Sequence, residues 1–364
     1  MTRLRLLILM LLIPAVARMT ADDSIPSHVP STLWIKQLIK NGFQINNPDV
    51  QYPRFPRFLR NVYNWGDRTF NSYDSTYVVS TGRNWKLQAK SYNWMQYSTM
   101  LFEHGSNLTM HSDVYADAGA YISFMAVSVG YMLNVNEIAG HPTSRHTFNV
   151  DFTCSRFSGS LMAQSSDGGM TITRFGLFND GHGIHYRFHD VTVDEMAGEL
   201  FYFFNHKHYS RAAAYCFSKY QLRSAGTWIL GALFTKQSMT MDFSTLPAEM
   251  LEYLPLETPK YSFRYNDYAA LGGYGYNLVL RPRKWLMNFT GLVSMGYKHS
   301  YENATDGRRD LVANNAELAT ALVYNNKSLF ASVNARFHLY FYYNSSFTYV
   351  NSLSQLTATV GIRF

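Results

Sequence analysis

The chain ends Ser354-Gln-Leu-Thr-Ala-Thr-Val-Gly-Ile-Arg-Phe364, eleven residues in which apolar and polar side chains alternate to the last position. A strand turns successive side chains to opposite faces. Leu356, Ala358, Val360, Ile362 and Phe364 therefore share one face, and Gln355, Thr357, Thr359 and Arg363 share the other. Such a strand, carried to a free aromatic carboxy-terminus, suits the closing strand of a membrane-spanning barrel.

The same period holds from Tyr77 onward. Trp85, Leu87 and Ala89 alternate with Lys86, Gln88 and Lys90, and Phe148, Val150 and Phe152 with Asn149, Asp151 and Thr153. Leu329, Ala331, Val333, Ala335 and Phe337 alternate with Ser332, Asn334, Arg336 and His338. A soluble sandwich would also alternate, but two features favour the membrane. Aromatics gather at strand ends, as in Tyr340-Phe-Tyr-Tyr343 and Phe201-Tyr-Phe-Phe204, where barrels place their interfacial girdles. Several runs also reach the length a tilted span needs, roughly ten residues. Turn signals such as Asp167-Gly-Gly169, Asn179-Asp-Gly181 and Asn325-Asn326 separate them. The expected fold is all-β, a transmembrane antiparallel barrel of about twelve strands, with ten to fourteen allowed. Gly272-Gly-Tyr-Gly-Tyr276 predicts a strand approached closely by its neighbour's backbone. Longer loops are expected at 176–196 and 244–263, facing outside the cell.

Composition agrees. Aromatics make up 16% of the 364 residues and charged residues 16%, against roughly 25% charged in soluble domains. A mean hydropathy of −0.19 is too polar for a helical membrane protein. The formal charge of +7 comes with no basic cluster carrying a fold motif, so nucleic acid is not an expected partner.

The N-terminus reads as an address. Arg3 and Arg5 precede an apolar core, Leu6 to Ile13, and then Ala15-Val-Ala17. This is a signal-peptide pattern, predicted over 1–21 with cleavage after Ala17 or Ala21 and location in a Gram-negative outer membrane. Residues 22–72 form a predicted periplasmic segment before a barrel over 73–364. In that segment Trp34, Ile35, Leu38 and Ile39 fall at helical spacing after Ser31 or Thr32, while Pro26, Pro30, Pro48, Pro53 and Pro56 mark loops. Two placements compete for the segment: beneath the barrel mouth, or entering the lumen as a plug.

Candidate chemistry is sparse. His182, His185 and His189 form a His-rich loop, but no suitable Cys or Glu joins them, so no metal site is assigned and no cofactor is expected. His208 and Ser210, read as i and i+2 on one side of a strand, are the only hydrolase candidates. No Gly-x-Ser-x-Gly elbow accompanies them. Lys86, Lys90, Asp151, Arg336, His338 and Arg363 occupy the polar phase of their strands and are the predicted lumen-lining charges. They either pair across a closed lumen or line a wet path. Cys154 and Cys216 sit in apolar patterns and read as lipid-facing or packed small hydrophobes.

Asn64-Trp-Gly-Asp-Arg-Thr-Phe-Asn-Ser-Tyr-Asp-Ser-Thr-Tyr-Val78, Trp85-Lys-Leu, Tyr202-Phe-Phe-Asn-His-Lys-His-Tyr-Ser-Arg-Ala-Ala-Ala-Tyr215, Gln221-Leu-Arg-Ser-Ala-Gly-Thr227 and Val360-Gly-Ile-Arg-Phe364 together resemble a Bacteroidetes-type family of outer-membrane barrels of unknown function. The resemblance covers about 62–364 and implies location and fold, with no catalytic residues to transfer. The His-rich loop departs from that family's pattern. In the middle signature, Asn205 to Ser210 is expected as a tight turn into a small-residue strand at Ala212–Cys216. The terminal Gly361, Ile362 and Phe364 resemble the assembly signal read by the barrel-assembly machinery. That machinery, periplasmic chaperones, outer-membrane lipid and lipopolysaccharide are the expected partners, with no protein partner otherwise indicated. Passage of small solutes or envelope lipids is the expected function. A non-conducting interaction barrel and a lipid-modifying enzyme are the alternatives.

Overall fold

The computed structural model describes residues 33–41, 44–70, 72–102, 107–124, 127–135, 144–167, 169–253, 259–300, 310–343 and 347–364. The proposed signal peptide and its cleavage sites lie outside these residues. Two compact units divide the chain, Met1–Thr69 and Phe70–Phe364. No helix among the described residues is long and apolar enough to cross a membrane.

The larger unit is a closed antiparallel barrel. Its strands begin with β1 (Val78–Ser80), β2 (Trp85–Phe102), β3 (Asn107–Ser112), β4 (Tyr115–Phe124), β5 (Val127–Asn134), β6 (Ser144–Thr153), β7 (Phe157–Asp167), β8 (Met170–Phe175) and β9 (Tyr186–Phe188). They continue with β10 (Val191–Phe203), β11 (Lys219–Gln221), β12 (Ala225–Asp242), β13 (Lys260–Arg281), β14 (Trp285–Ser300), β15 (Asp310–Asn326), β16 (Leu329–Tyr343) and β17 (Phe347–Arg363). The wall runs β2-β4-β5-β6-β7-β10-β12-β13-β14-β15-β16-β17, twelve strands among the described residues, and β17 returns to pair with β2. Closure leaves no open strand edge facing lipid, which the hydrocarbon would not tolerate.

The closing seam runs from Phe347 opposite Phe102 to Arg363 opposite Lys86. The period-two pattern starts at Tyr77, but the first barrel strand begins at Trp85. Val78–Ser80 pairs instead with Lys219–Gln221, so the chain before the barrel is tied to the β10–β12 connection. The expected outer loops are shorter than 176–196 and 244–263, because Val191–Met196 extends β10 and residues 260–263 open β13.

Period two sorts the two faces as the sequence indicates. On β17, Leu356, Val360 and Ile362 are exposed while Thr359 and Arg363 are buried. Val293, Met295 and Leu318 are 67%, 68% and 65% exposed on the outer wall. Large apolar side chains left this open belong against lipid rather than water. Aromatic pairs mark the belt's edges. Trp228–Tyr274, Trp285–Tyr324, Trp85–Phe124 and Phe157–Tyr202 sit at the end where the chain enters and leaves the barrel. Phe234–Tyr268 and Tyr297 sit toward the other end. Trp285 to Tyr297 is about 40 Å of strand, or about 30 Å of height at a tilt of ~40°, enough for a hydrocarbon core.

The smaller unit contains the expected first helix, at Trp34–Lys40, and a longer one at Arg54–Phe70. The second corrects the reading of Pro53 and Pro56 as loop markers. Pro53 precedes the helix and Pro56 lies in its first turn, where backbone N–H groups have no intrahelical partner to lose.

Candidate functional site: a chamber between a plug and a cap

The β10–β12 connection does not run across the barrel mouth; it folds inward. Residues Ala212–Cys216 form one turn of π-helix, with Ala212, Ala213 and Ala214 buried, where a small-residue strand was expected. The three small alanines let that turn sit close against the wall side chains inside the lumen. Ala213, Ala214 and Phe217 pack on Leu286, Val323 and Phe330. Tyr209 packs on Phe203, Ile229, Leu271 and Leu292.

Polar groups fix this plug as closely as its apolar contacts do. Asn277 and Asn288 are directly opposed on β13 and β14, and both are fully buried. Asn288 donates to Asn277 (2.8 Å) and to the Tyr209 hydroxyl (3.1 Å), and accepts from the Tyr215 hydroxyl (2.8 Å). Asn277 in turn donates to the Ser210 carbonyl (2.9 Å) and to Gln221 Oε1 (3.0 Å). Gln221 donates to the His208 and Arg223 carbonyls at 2.6 and 2.9 Å. Each buried amide thus meets the partners it would lose to desolvation. Burial pushes the Tyr209 hydroxyl up to about 12, so it stays protonated.

The carbonyl end of the π-turn is held by the closing seam. Lys86 Nζ donates to the Cys216 carbonyl at 2.5 Å. Arg363 donates through Nε to the Phe217 carbonyl at 2.6 Å, through Nη1 to the Lys327 carbonyl at 3.1 Å, and through Nη2 to Asn325. Helix ends leave carbonyls unpaired, and cationic side chains commonly take them up. Phe217 adopts φ 58°, a left-handed conformation that a bulky residue avoids. Its ring stacks on Phe330 at 4.7 Å.

The opposite end is stopped by a cap. β3 continues from the far half of β2, and β8 and β9 extend it. Leu108, Met110, Ile172, Phe175 and Phe188 of these strands, with Phe243, Leu246 and Met250, pack on inward wall residues Met100, Met241, Tyr265, Ala313 and Tyr349. Those wall residues come from five strands around the barrel, so the cluster spans the mouth. Phe243 stacks on Phe188 at 5.0 Å with rings nearly parallel.

Between plug and cap lies a chamber of about 380 Å³. Asp151, Glu195, Glu199, Asp267 and Glu317 supply carboxylates, and Lys90, Lys298, Arg336 and the plug's Arg211 supply cations. Arg336 Nε lies 3.2 Å from Glu317 Oε1, and His338 Nδ1 lies 3.8 Å from Glu317 Oε2. Ser160 donates to Glu199 at 3.4 Å. Arg211 is held between the rings of Phe201 and Tyr215, 4.8 Å from each centroid. Lys90 lies 3.7 Å over the Tyr121 ring. Opposed charges at these separations neutralise one another and leave a polar cavity of mixed sign.

All six charges singled out from sequence lie on the inward phase, but they divide into two groups. Lys90, Asp151, Arg336 and His338 line the chamber. Lys86 and Arg363 are spent on the plug. His182, His185 and His189 are exposed in their loop, and no cluster of three or more His, Cys, Asp or Glu among the described residues is arranged for a metal. His208 and Ser210 are not on a strand and do not form a dyad. Ser210 is fully buried, bonded to Tyr73 Oη (3.3 Å) and accepting from the Ala213 N–H (3.2 Å), where it caps the π-turn. His208 faces Asp74 at 3.5 Å and packs on Tyr77. Hydrogen bonds from the Thr76 amide and hydroxyl hold the Asp74 carboxyl below the usual range. Cys154 lies in the β6–β7 turn and Cys216 in the plug, both as free thiols rather than strand residues. Terminal Gly361, Ile362 and Phe364 lie in and just after β17, where Trp85 and Phe364 exchange both backbone hydrogen bonds at 3.0 Å.

Sequence reasoning passed over Asn277, Asn288, Gln221 and Arg211. The signal available was an Asn on the inward phase of each of two successive strands.

The family described as domain of unknown function (DUF4421) matches residues 72–364, the whole barrel and its plug. The chain belongs to that family. DUF4421 thus covers the seam, the amide network and the chamber alike. No curated protein matches the chain. Among solved structures it is similar to the outer membrane protease OmpT from Escherichia coli, at 10% identity and TM-score 0.36, covering 77% of this chain and 97% of that one. It is also similar to the translocator domain of autotransporter NalP from Neisseria meningitidis, at 10% identity and TM-score 0.35, covering 85% and 95%. A third is the CymD monoaromatic hydrocarbon channel, at 7% identity and TM-score 0.26, covering 78% and 90%.

Proposed function

We propose that the protein is an outer-membrane barrel that takes a small polar solute into its lumen and is closed at rest. In this reading the start of β2 and the end of β17 lie at the periplasmic end, and the cap faces outside. The observation that carries it is the chamber. A barrel serving only as a scaffold gains nothing from an ionisable cavity of about 380 Å³, a volume within the usual range for ligand sites. Carboxylates and cations alternate around it, which suits a solute of amino-acid size bearing both charges. Passage requires the cap, the plug or both to move. The lipid part of the expected function has no comparable support, and the hydrolase alternative has lost its only candidates.

The test is uptake by proteoliposomes containing the folded, purified chain. A zwitterionic amino acid is expected to enter faster than a neutral sugar of similar size, and Arg336→Gln is expected to remove that preference. Absence of uptake for every solute, from protein shown to be folded, would overturn this reading in favour of a non-conducting interaction barrel.

A further inference from the structure

The smaller unit is packed inside out. At 100° per residue, Phe55, Leu59 and Val62 fall on one face of the Arg54–Phe70 helix, and Arg57, Arg60 and Asn64 on the opposite one. A helix of a water-soluble domain turns its apolar face inward. Here the polar face meets the rest of the unit. Arg57 donates to the Tyr52 carbonyl (3.1 Å), Arg60 lies over the Tyr52 ring (5.2 Å), and Asn64 exchanges amide hydrogen bonds with Asn46 (2.9 and 3.1 Å). Phe55 is left 69% exposed and Leu59 50%. Trp65, on the flank, and Ile35 and Ile39 of the shorter helix are also exposed. The unit's own small core is Leu38, Ile45, Val50 and Tyr52.

We infer that the Arg54–Phe70 helix lies in the surface of the bilayer that holds the barrel, with its Phe55–Leu59 face in the acyl boundary and the exposed Arg54 and Arg68 reaching anionic phospholipid headgroups. Charge selects this occupant. Residues 33–70 carry Lys36, Lys40, Arg54, Arg57, Arg60 and Arg68 against Asp49 and Asp67. A second copy of so basic a unit is repelled, whereas an anionic lipid surface attracts each cation. A basic amphipathic helix with an aromatic at its flank is the pattern of an in-plane membrane helix. The inference is independent of what the lumen carries.

The experiment uses the full chain with Cys154→Ala and Cys216→Ala, labelled with an environment-sensitive fluorophore at Leu59→Cys or, as the polar-face control, Asn61→Cys. Each is reconstituted into vesicles with brominated acyl chains, made of phosphatidylcholine alone or mixed equally with phosphatidylglycerol. In the anionic vesicles, quenching at position 59 is expected to exceed that at 61 by roughly threefold or more. Removing phosphatidylglycerol, or adding Arg54→Gln with Arg68→Gln, is expected to lower quenching at 59. Equal, weak quenching at both positions in folded protein overturns the inference, as does shielding of 59 from both bromolipid and aqueous iodide, which would mean a protein covers the face. Quenching at 59 that ignores lipid charge overturns it too.

Discussion

Arg363 is the place to test whether the plug is a latch. It is 1% exposed and donates to three acceptors, one of which, the Phe217 carbonyl, belongs to the plug. Arg363→Met keeps the length and apolar bulk of the side chain and removes the donors. A hydrogen bond from a charged group contributes about 1.5–3 kcal/mol, and the stranded buried carbonyl adds a penalty of similar size that water entry partly offsets. We take about 2–3 kcal/mol as the loss of plug retention. The left-handed Phe217 backbone stores about 1–2 kcal/mol that its release would return, so the latch opposes a strained element. At about 1.4 kcal/mol per tenfold change, the displaced population should rise about 30- to 150-fold. Single-channel recording in planar bilayers reads this as open probability. Lys86→Met, which removes the separate bond to Cys216, should act in the same direction, and the pair should be non-additive because the two sites are neighbours. If both variants fold, stay as quiet as the wild type and leave the plug's Cys216 thiol no more reactive toward maleimide, the seam does not hold the plug, and apolar packing of Phe217 on Phe330 suffices.

Asn288→Leu strands Asn277, Tyr209 and Tyr215 at once and should cost about 3 kcal/mol, measured as a lower urea midpoint in detergent. Gly273→Ala would drive a Cβ into the Gly291 carbonyl oxygen; it should lose about 1–3 kcal/mol, while Gly291→Ala, whose Cβ meets only Leu318 at 3.6 Å, should be near neutral. Deleting Phe364 removes both hydrogen bonds to Trp85 and should lower the yield of heat-modifiable barrel, scored by gel mobility. For Asp74, whose carboxyl is held low by Thr76, the folded form binds its proton less readily than the unfolded form. Its contribution is therefore complete above the ordinary value of about 3.9 and fades as pH falls through the lowered one. The protection factor of the Thr76 amide should follow that course, and Asp74→Asn should abolish the step.

Much of the wall was legible because period two is a local signal. Leu356, Val360 and Ile362 against Thr359 and Arg363 needed only the alternation of the strand. What alternation cannot supply is the identity of the inward neighbour. Lys86 and Lys90 occupy the same phase of β2, yet one holds a plug carbonyl and the other lines a chamber, a difference made by a segment some 130 residues away. Ala212–Cys216 misled for the same reason: its small residues suit close packing in a lumen as well as in a strand. The cap depends on β3–β8 pairing between residues such as Leu108 and Phe175, far apart in sequence, which no local pattern encodes. The helix at Arg54–Phe70 was different. Its Phe55, Leu59, Val62 periodicity was present, but Pro53 and Pro56 carry a loop signal unless they fall at a helix's first turn, and the sequence does not mark where that turn begins.

The bond between Arg363 and Phe217 also sets an order of events in biogenesis. Until β17 meets β2, the guanidinium belongs to an unpaired terminal strand, beside the Ile362 and Phe364 that resemble an assembly signal. Once the seam zips, the same residue turns inward and fastens a segment made much earlier in synthesis. Sealing of the lumen is therefore a late event that reports completion of the wall, and a chain stalled before its last strand should be leaky rather than shut.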